Sequence, residues 1–266
     1  MSDRFTRASG AGNTFFIANI FDSQWKQKFS SLSDIDKASL AKTLCEGFDG
    51  FKTDGLLFLR PEPGFDFAWD FFNSDGSKAE MCGNAARCAS LFFFENIKAQ
   101  RSFRFKTLAG EISGEITLDG NVRVQMTQVH GLRTMKVLEK NGTFVNSGVP
   151  HFVIAEAPNA ELAKRLRKVS DFGPPGANIT FVEMKNRLLV KAVTFERGVE
   201  DFTMACGTGA VAAAMWLQQQ NGTLPSVNVE MPGGTLTVDQ AVEGQRPVLS
   251  GPTKLEFEMT LLEKRK

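Results

Sequence analysis

Residues 71–90 read FFNSDGSKAEMCGNAARCAS, and residues 194–214 read TFERGVEDFTMACGTGAVAAA. The second stretch repeats the plan of the first. Cys82 and Cys206 lie 124 residues apart, Asn73 and Arg197 each stand nine residues before their cysteine, and Asp54 and Asn178 each stand 28 before it. Further upstream, SGAGNTFFI from Ser9 echoes SGVPHFVI from Ser147, with Gly10 and Gly148 138 residues apart. Four echoes in one order point to an internal duplication. They predict a pseudo-two-fold molecule whose halves each deliver one cysteine, with a cleft between the two domains.

Each cysteine runs into an apolar segment, CGNAARCASLFFF from Cys82 and CGTGAVAAAMWL from Cys206. A helix that is apolar nearly all round is buried on every side, so each should lie inside a sheet or barrel. Strand-like runs occur at 55–59 (GLLFL), 152–155 (FVIA), 187–193 (RLLVKAV) and 226–230 (SVNVE), rich in β-branched and apolar residues. A further helix is predicted from Ser33, which can cap it. Asp34 and Asp36 suit its first turn, and Ile35, Leu40 and Leu44 are its apolar positions. The expected division is an N-terminal half over 1–124 and a C-terminal half over 125–254. The alternating KLEFEMTLL predicts a last strand, so residues 255–266 are expected to return to the first half.

The chain has 266 residues with 31 Lys+Arg against 30 Asp+Glu. That balance argues against a nucleic-acid partner, which needs a clustered basic surface. No run of about eighteen apolar residues is present, so no membrane span is expected. The first residues, MSDRFTRASGAGNTFF, lack a secretory pattern, and the expected compartment is the cytoplasm. Four cysteines and two histidines, His130 and His151, with no C-x-x-C pair, make neither a disulfide scaffold nor a zinc site; no metal is expected. Cys45 and Cys88 are read as small buried hydrophobes. Residues 207–212 (GTGAVA) fit G-x-G-x-x-A, but a polar turn stands where a dinucleotide fingerprint needs a strand, and GNAARC lacks the glycines; no nicotinamide or flavin is expected.

What remains is chemistry of the paired Cys-Gly-polar turns. The first N–H groups of a helix are unpaired and its dipole favours negative charge. A thiol there gains thiolate character, and the same N–H groups can hold a carboxylate. Two such ends across a cleft would place a substrate carboxylate between helix tips, with one thiolate and one thiol on opposite sides of its Cα. One removes the α-proton and the other returns a proton to the opposite face, while the helix ends stabilise charge building on the carboxylate.

At these residues the sequence resembles diaminopimelate epimerase, of the two-cysteine racemase superfamily. The matching motifs are GAGNTFF, TDGLLFL, FFNSDGSKAEMCGNAARC, SGVPHFVI, ERGVEDFTMACGTGA and MPGGTLTV, running from Gly10 to Val238. The resemblance implies a mixed α/β (α+β) fold of two pseudo-symmetric domains, each a curved sheet around a central helix. It implies interconversion of LL- and meso-diaminopimelate, in lysine and peptidoglycan precursor synthesis, with no cofactor. Cys82 and Cys206 would be the acid/base pair. Gly83 and Asn84, with Gly207 and Thr208, would hold the reacting α-carboxylate and amine. Asn73, Asn178 and Arg197 would hold the distal amino-acid end. Asn13 and Glu196 would complete the cage, Glu196 on an ammonium, and His151 would tune the site near Cys82. A homodimer is implied by the resemblance alone.

The chain departs from the family pattern at Thr14, at Val149 before Pro-His, at Phe202 after ERGV, and over 50–55, GFKTDG. Fine specificity rests on such positions, so a same-mechanism racemase of another amino acid is one rival reading. A thiol-redox or small-ligand binding protein using the same cysteines is the other.

Overall fold

The sequence alternates short apolar runs with glycine-rich turns, and both parallel strand pairs of each unit are bridged by a helical crossover, as parallel pairing requires. The computed structural model describes residues 3–29, 31–47, 50–174 and 176–261. They form two compact units, Met1–Val124 with Thr253–Lys266, and Gln125–Pro252.

The first unit runs β1 (Asp3–Gly10), β2 (Asn13–Asn19), α1 (Ser23–Phe29), α2 (Asp34–Cys45), β3 (Gly55–Arg60), β4 (Phe67–Asn73), α3 (Gly83–Asn96), β5 (Ser102–Thr107), β6 (Gly110–Ile116) and β7 (Val122–Gln125). β1 and β2 are antiparallel, β2 and β3 parallel, β3 and β4 antiparallel, β4 and β5 parallel, and β5, β6 and β7 antiparallel in turn. The sheet curls around α3, which packs against β1, β2, β3 and β6 and is buried throughout residues 83–93. The outer face carries Phe16, Leu56, Phe58 and Phe72 against Trp25, Phe29, Ala41 and Leu44 of α1 and α2. With both faces covered, β3 reads GLLFLR without alternation, as a doubly buried strand does.

Ser33 caps α2 as expected, its Oγ accepting from the Asp36 N–H; the Asp36 carboxylate accepts from the Ser33 hydroxyl and from the Ser33 N–H, and these two bonds, the hydroxyl's first, hold its carboxyl below the usual range. One position of the expected apolar face is corrected: Ile35 is 81% exposed, while Leu44 is buried as expected, together with Ala41 and Cys45, and Leu40 packs against them partly buried. Ile35 and Leu44 are nine residues apart, which at about 100° per residue puts them on opposite sides of a helix.

The second unit runs β8 (His130–Val137), β9 (Lys140–Asn146), β10 (Pro150–Ile154), α4 (Ala160–Leu166), β11 (Asn178–Asn186), β12 (Leu189–Glu196), β13 (Asp201–Phe202), α5 (Gly207–Asn221), β14 (Ser226–Met231), β15 (Gly234–Asp239) and β16 (Val248–Gly251). From β9 onward the pairing order is antiparallel to β10, parallel to β11, antiparallel to β12, parallel to β14, then antiparallel through β15 to β16. That is the order of the first unit, with α5 in the place of α3 and packed against β9, β10, β11, β12, β14 and β15. The last strand, β17 (Thr253–Leu261), lies antiparallel to β1 and against α3, as β8 lies against β9. The strand begins at Thr253, so residues 255–261 of the expected returning segment belong to it; 262–266 lie outside the described residues. The fold is the mixed α/β architecture with two units of one plan.

Candidate active site

Both singled-out cysteines stand at the N-cap position of a central helix, and of the two only the Cys206 sulfur accepts a capping hydrogen bond. Cys82 precedes α3 in extended backbone, φ −144° and ψ 123°, and is half-buried. Cys206 precedes α5 in the same conformation, φ −126° and ψ 113°, and is 5% exposed. Each sulfur therefore sits at the end of a helix whose first N–H groups are unpaired within it. Neither helix carries an acidic residue in its first turn, so the positive end of each dipole is uncompensated there.

In the first unit, Asn84 Nδ2 donates to Asn13 Oδ1 at 2.6 Å, and Arg87 Nη2 donates to Asn84 Oδ1 at 2.9 Å. These two bonds fix the amide of Asn84 beside Gly83. A Cβ on Gly10 would stand 2.9 Å from the Asn84 carbonyl oxygen and 3.2 Å from Cys88 Sγ, so only glycine lets β1 come this close to the first turn of α3. Asn73 ends β4 with its Nδ2 on Ser77 Oγ at 2.9 Å, inside the turn that Asp75 also organises.

In the second unit, Cys206 Sγ accepts from Gly209 N at 3.4 Å and lies 3.4 Å from Thr208 Oγ1. Thr208 Oγ1 is 2.9 Å from His151 Nε2, His151 Nδ1 is 2.9 Å from Thr180 Oγ1, and Thr180 Oγ1 is 3.2 Å from Thr194 Oγ1. Ser147 Oγ donates to the Thr208 carbonyl oxygen at 2.8 Å. Asn178 Nδ2 lies 3.4 Å from His151 Nε2, and Asn178 Oδ1 accepts from the Arg197 backbone N–H at 2.9 Å. Glu196 Oε1 accepts from Thr203 Oγ1 at 2.6 Å.

His151, Asn178, Arg197, Thr208 and Cys206 thus form one network in the second unit, and Asn13, Gly83, Asn84 and Cys82 one neighbourhood in the first. Within the second unit the hydrogen bonds of His151 lead through Thr208 to the Cys206 turn, because β10 lies beside β11 and packs against α5. A neutral imidazole has one N–H and one acceptor nitrogen. The row from Thr194 to Cys206 therefore has two polarities, with all hydroxyls donating toward the sulfur or all away from it. The first suits a thiolate and the second a thiol.

His151 is fully buried, and burial first, then the positive charge of Arg197, pushes its pKa down from 6.5 to about 3. The unfolded chain therefore binds a proton between pH 6.5 and about 3 that the folded one refuses. The stability this contributes, on the order of a few kcal/mol, is complete above the unfolded value and is lost as pH falls toward the folded one. Urea unfolding across that window should show a steep fall in stability, flattened in His151→Gln. With His130 as the second histidine, a proton-NMR titration of His151 near the ordinary value would contradict this.

Burial pushes Cys45 up to about 11 and Cys88 up to about 12, so both are neutral packing thiols. Residues the sequence reading passed over are Arg87, Ser147, Thr180 and Thr194. Arg87 had a signal, as the one charge in the run CGNAARCASLFFF that opens α3. Among the described residues no cluster of three metal-ligating side chains occurs, and no helix is long and apolar enough to cross a membrane.

The family profile described as "Diaminopimelate epimerase" matches residues 5–131 and 143–256. A diaminopimelate epimerase of Aquifex aeolicus (strain VF5) is 36% identical, with 97% of this chain and 98% of that protein covered. One of Helicobacter pylori (strain Shi470) is 38% identical over 78% of each. Among solved structures, a hydroxyproline epimerase of Agrobacterium vitis matches with TM-score 0.70 at 14% identity, covering 98% of this chain and 92% of that one. At that identity the likeness concerns the fold.

Proposed function

The chain belongs to the diaminopimelate epimerase family, and from that premise we propose that it interconverts LL- and meso-diaminopimelate with Cys82 and Cys206 as paired acid and base. The observation that carries this reading is the matched placement of the two cysteines, each the residue before a buried central helix in units of identical strand order.

In this scheme one thiolate takes the proton from Cα, and the electron pair left behind spreads into the α-carboxylate. The N–H groups opening α3 and α5, including those of Gly83, Asn84, Gly207 and Thr208, lower the energy of that charge as it develops. The opposite thiol then donates its proton to the other face of Cα. The sulfurs finish with their protonation states exchanged, and proton exchange with water restores the starting form. Asn73, Asn178 and Arg197 hold the distal amino-acid end, with Arg197 on its carboxylate. Asn13 and Glu196 complete the polar cage, Glu196 on an ammonium. We place the reaction in the cytoplasm and the protein in a homodimer, whose mass light scattering would give.

Incubation with LL-diaminopimelate should form the meso isomer and no product from proline or other amino acids. Conversion of a different amino acid only would replace the substrate; binding without conversion would leave the thiol-redox or binding reading.

A further inference from the structure

Arg87 lies in the second turn of α3, is fully buried and, among the described residues, has no carboxylate partner. Its guanidinium donates to three neutral acceptors: the Gly83 carbonyl oxygen at 3.3 Å, Asn84 Oδ1 at 2.9 Å and Thr253 Oγ1 at 3.3 Å. Burial brings its pKa down to about 10, which leaves it charged at neutral pH. A buried cation without an anion is costly, and proteins answer it with a nearby negative charge.

The titratable groups whose charge bears on Arg87 are Cys88 and Cys82. Cys88 is held neutral by its own burial. Cys82 is half-buried, precedes the peptide whose carbonyl oxygen Arg87 holds, and already faces the positive end of α3. The position in the second unit that matches Arg87 carries no cation. Five residues after Cys206 stands Val211, buried and apolar, and the side chains in line behind Cys206 are the neutral Thr208 and His151.

We propose that Arg87 is the fixed counter-cation of a Cys82 thiolate, a positioning residue that keeps this sulfur ionised in the free protein. The proposal rests on the reading of Cys82 as an acid–base thiol. It adds an asymmetry that the duplicated fold hides. One sulfur is held as an anion by a permanent buried charge, and the other is served by a hydrogen-bonded row that can reverse its polarity.

The test is iodoacetamide labelling across pH, with Cys82 and Cys206 followed separately by peptide mass spectrometry, in the natural protein, Arg87→Lys and Arg87→Met. In the natural protein the Cys82 labelling midpoint should lie below the free-thiol value of about 8.5. Arg87→Met should slow Cys82 labelling at neutral pH by about tenfold or more, the equivalent of one pKa unit, with Cys206 changed less than about twofold. Arg87→Lys should keep most of the natural rate. A natural midpoint at or above that of a free thiol would overturn the proposal, and this arm stands even if Arg87→Met does not fold. So would an unchanged Cys82 midpoint in Arg87→Met, or equal shifts at both cysteines. Labelling does not require turnover, so a Cys82→Ser protein that remained fully active would sink the function proposed above and not this readout.

Discussion

Cys206→Ser should reduce turnover by about a hundredfold to ten-thousandfold, the usual weight of a positioned acid or base, and leave the protein as stable as before. The two halves of that expectation have one source. Cys206 Sγ accepts from the Gly209 N–H at 3.4 Å, a weak cap. A serine oxygen caps a helix better than sulfur does, so α5 should keep its first turn. A hydroxyl, however, is a much weaker acid than a thiol and supplies almost no anion at neutral pH to take a proton from Cα. Cys82→Ser should lose turnover to the same extent, with no capping bond at stake because the Cys82 side chain makes none. Turnover in both directions, read beside thermal unfolding, checks it. A serine variant with natural turnover would remove that sulfur from the chemistry, and one that is inactive because unfolded would leave the loss to structure.

Gly209→Ala should damage stability and turnover together. The added Cβ would stand 2.3 Å from Thr194 Oγ1, 3.1 Å from Cys206 Cβ and 3.3 Å from Cys206 Sγ. Thr194 is fully buried and its Oγ1 faces Thr180, so it cannot swing away without breaking the row behind His151. Overpacking of this kind costs about 1–3 kcal/mol, and a sulfur displaced by about an ångström costs on the order of a hundredfold in rate. Adding Thr194→Ala should restore most of the stability, because it removes the atom struck, while activity stays low. Denaturant unfolding and turnover of the single and double variants separate these effects. A Gly209→Ala protein with natural stability would contradict the packing at this turn.

The duplicated plan was legible because its signal is spread over whole halves. Cys82 and Cys206, with their apolar helices, predict a buried helix in each unit, and α3 and α5 are those helices. GLLFL and FVIA read as strands because strands covered on both faces lose their alternation. Ile35 was misread because its spacing from Leu44 is half a turn out of phase, an error of angle that composition does not reveal. The row through Thr180 and Thr194 was invisible for another reason. Two threonines in strands are ordinary β-formers, and only the pairing of β11 with β12, Thr180 opposite Thr194, joins them behind His151. Within its own unit His151 serves Thr208 as Asn13 serves Asn84 in the other, a parallel that the matched positions in SGVPHFVI and SGAGNTFFI carry. Arg87 is a single charge among the small and apolar residues that open its helix, and composition averages it away.

The claim at the centre of this account is that different sulfurs remove and return the proton. It is tested most directly by converting LL-diaminopimelate in deuterium oxide to only a few per cent and measuring the label in each isomer separately. The account predicts meso product carrying one deuterium at the inverted carbon and recovered LL substrate carrying almost none, because the proton returned comes from a sulfur already exchanged with solvent. Product retaining the substrate's own hydrogen, or deuterium entering the LL substrate as fast as the product, would show one group serving both faces and contradict it.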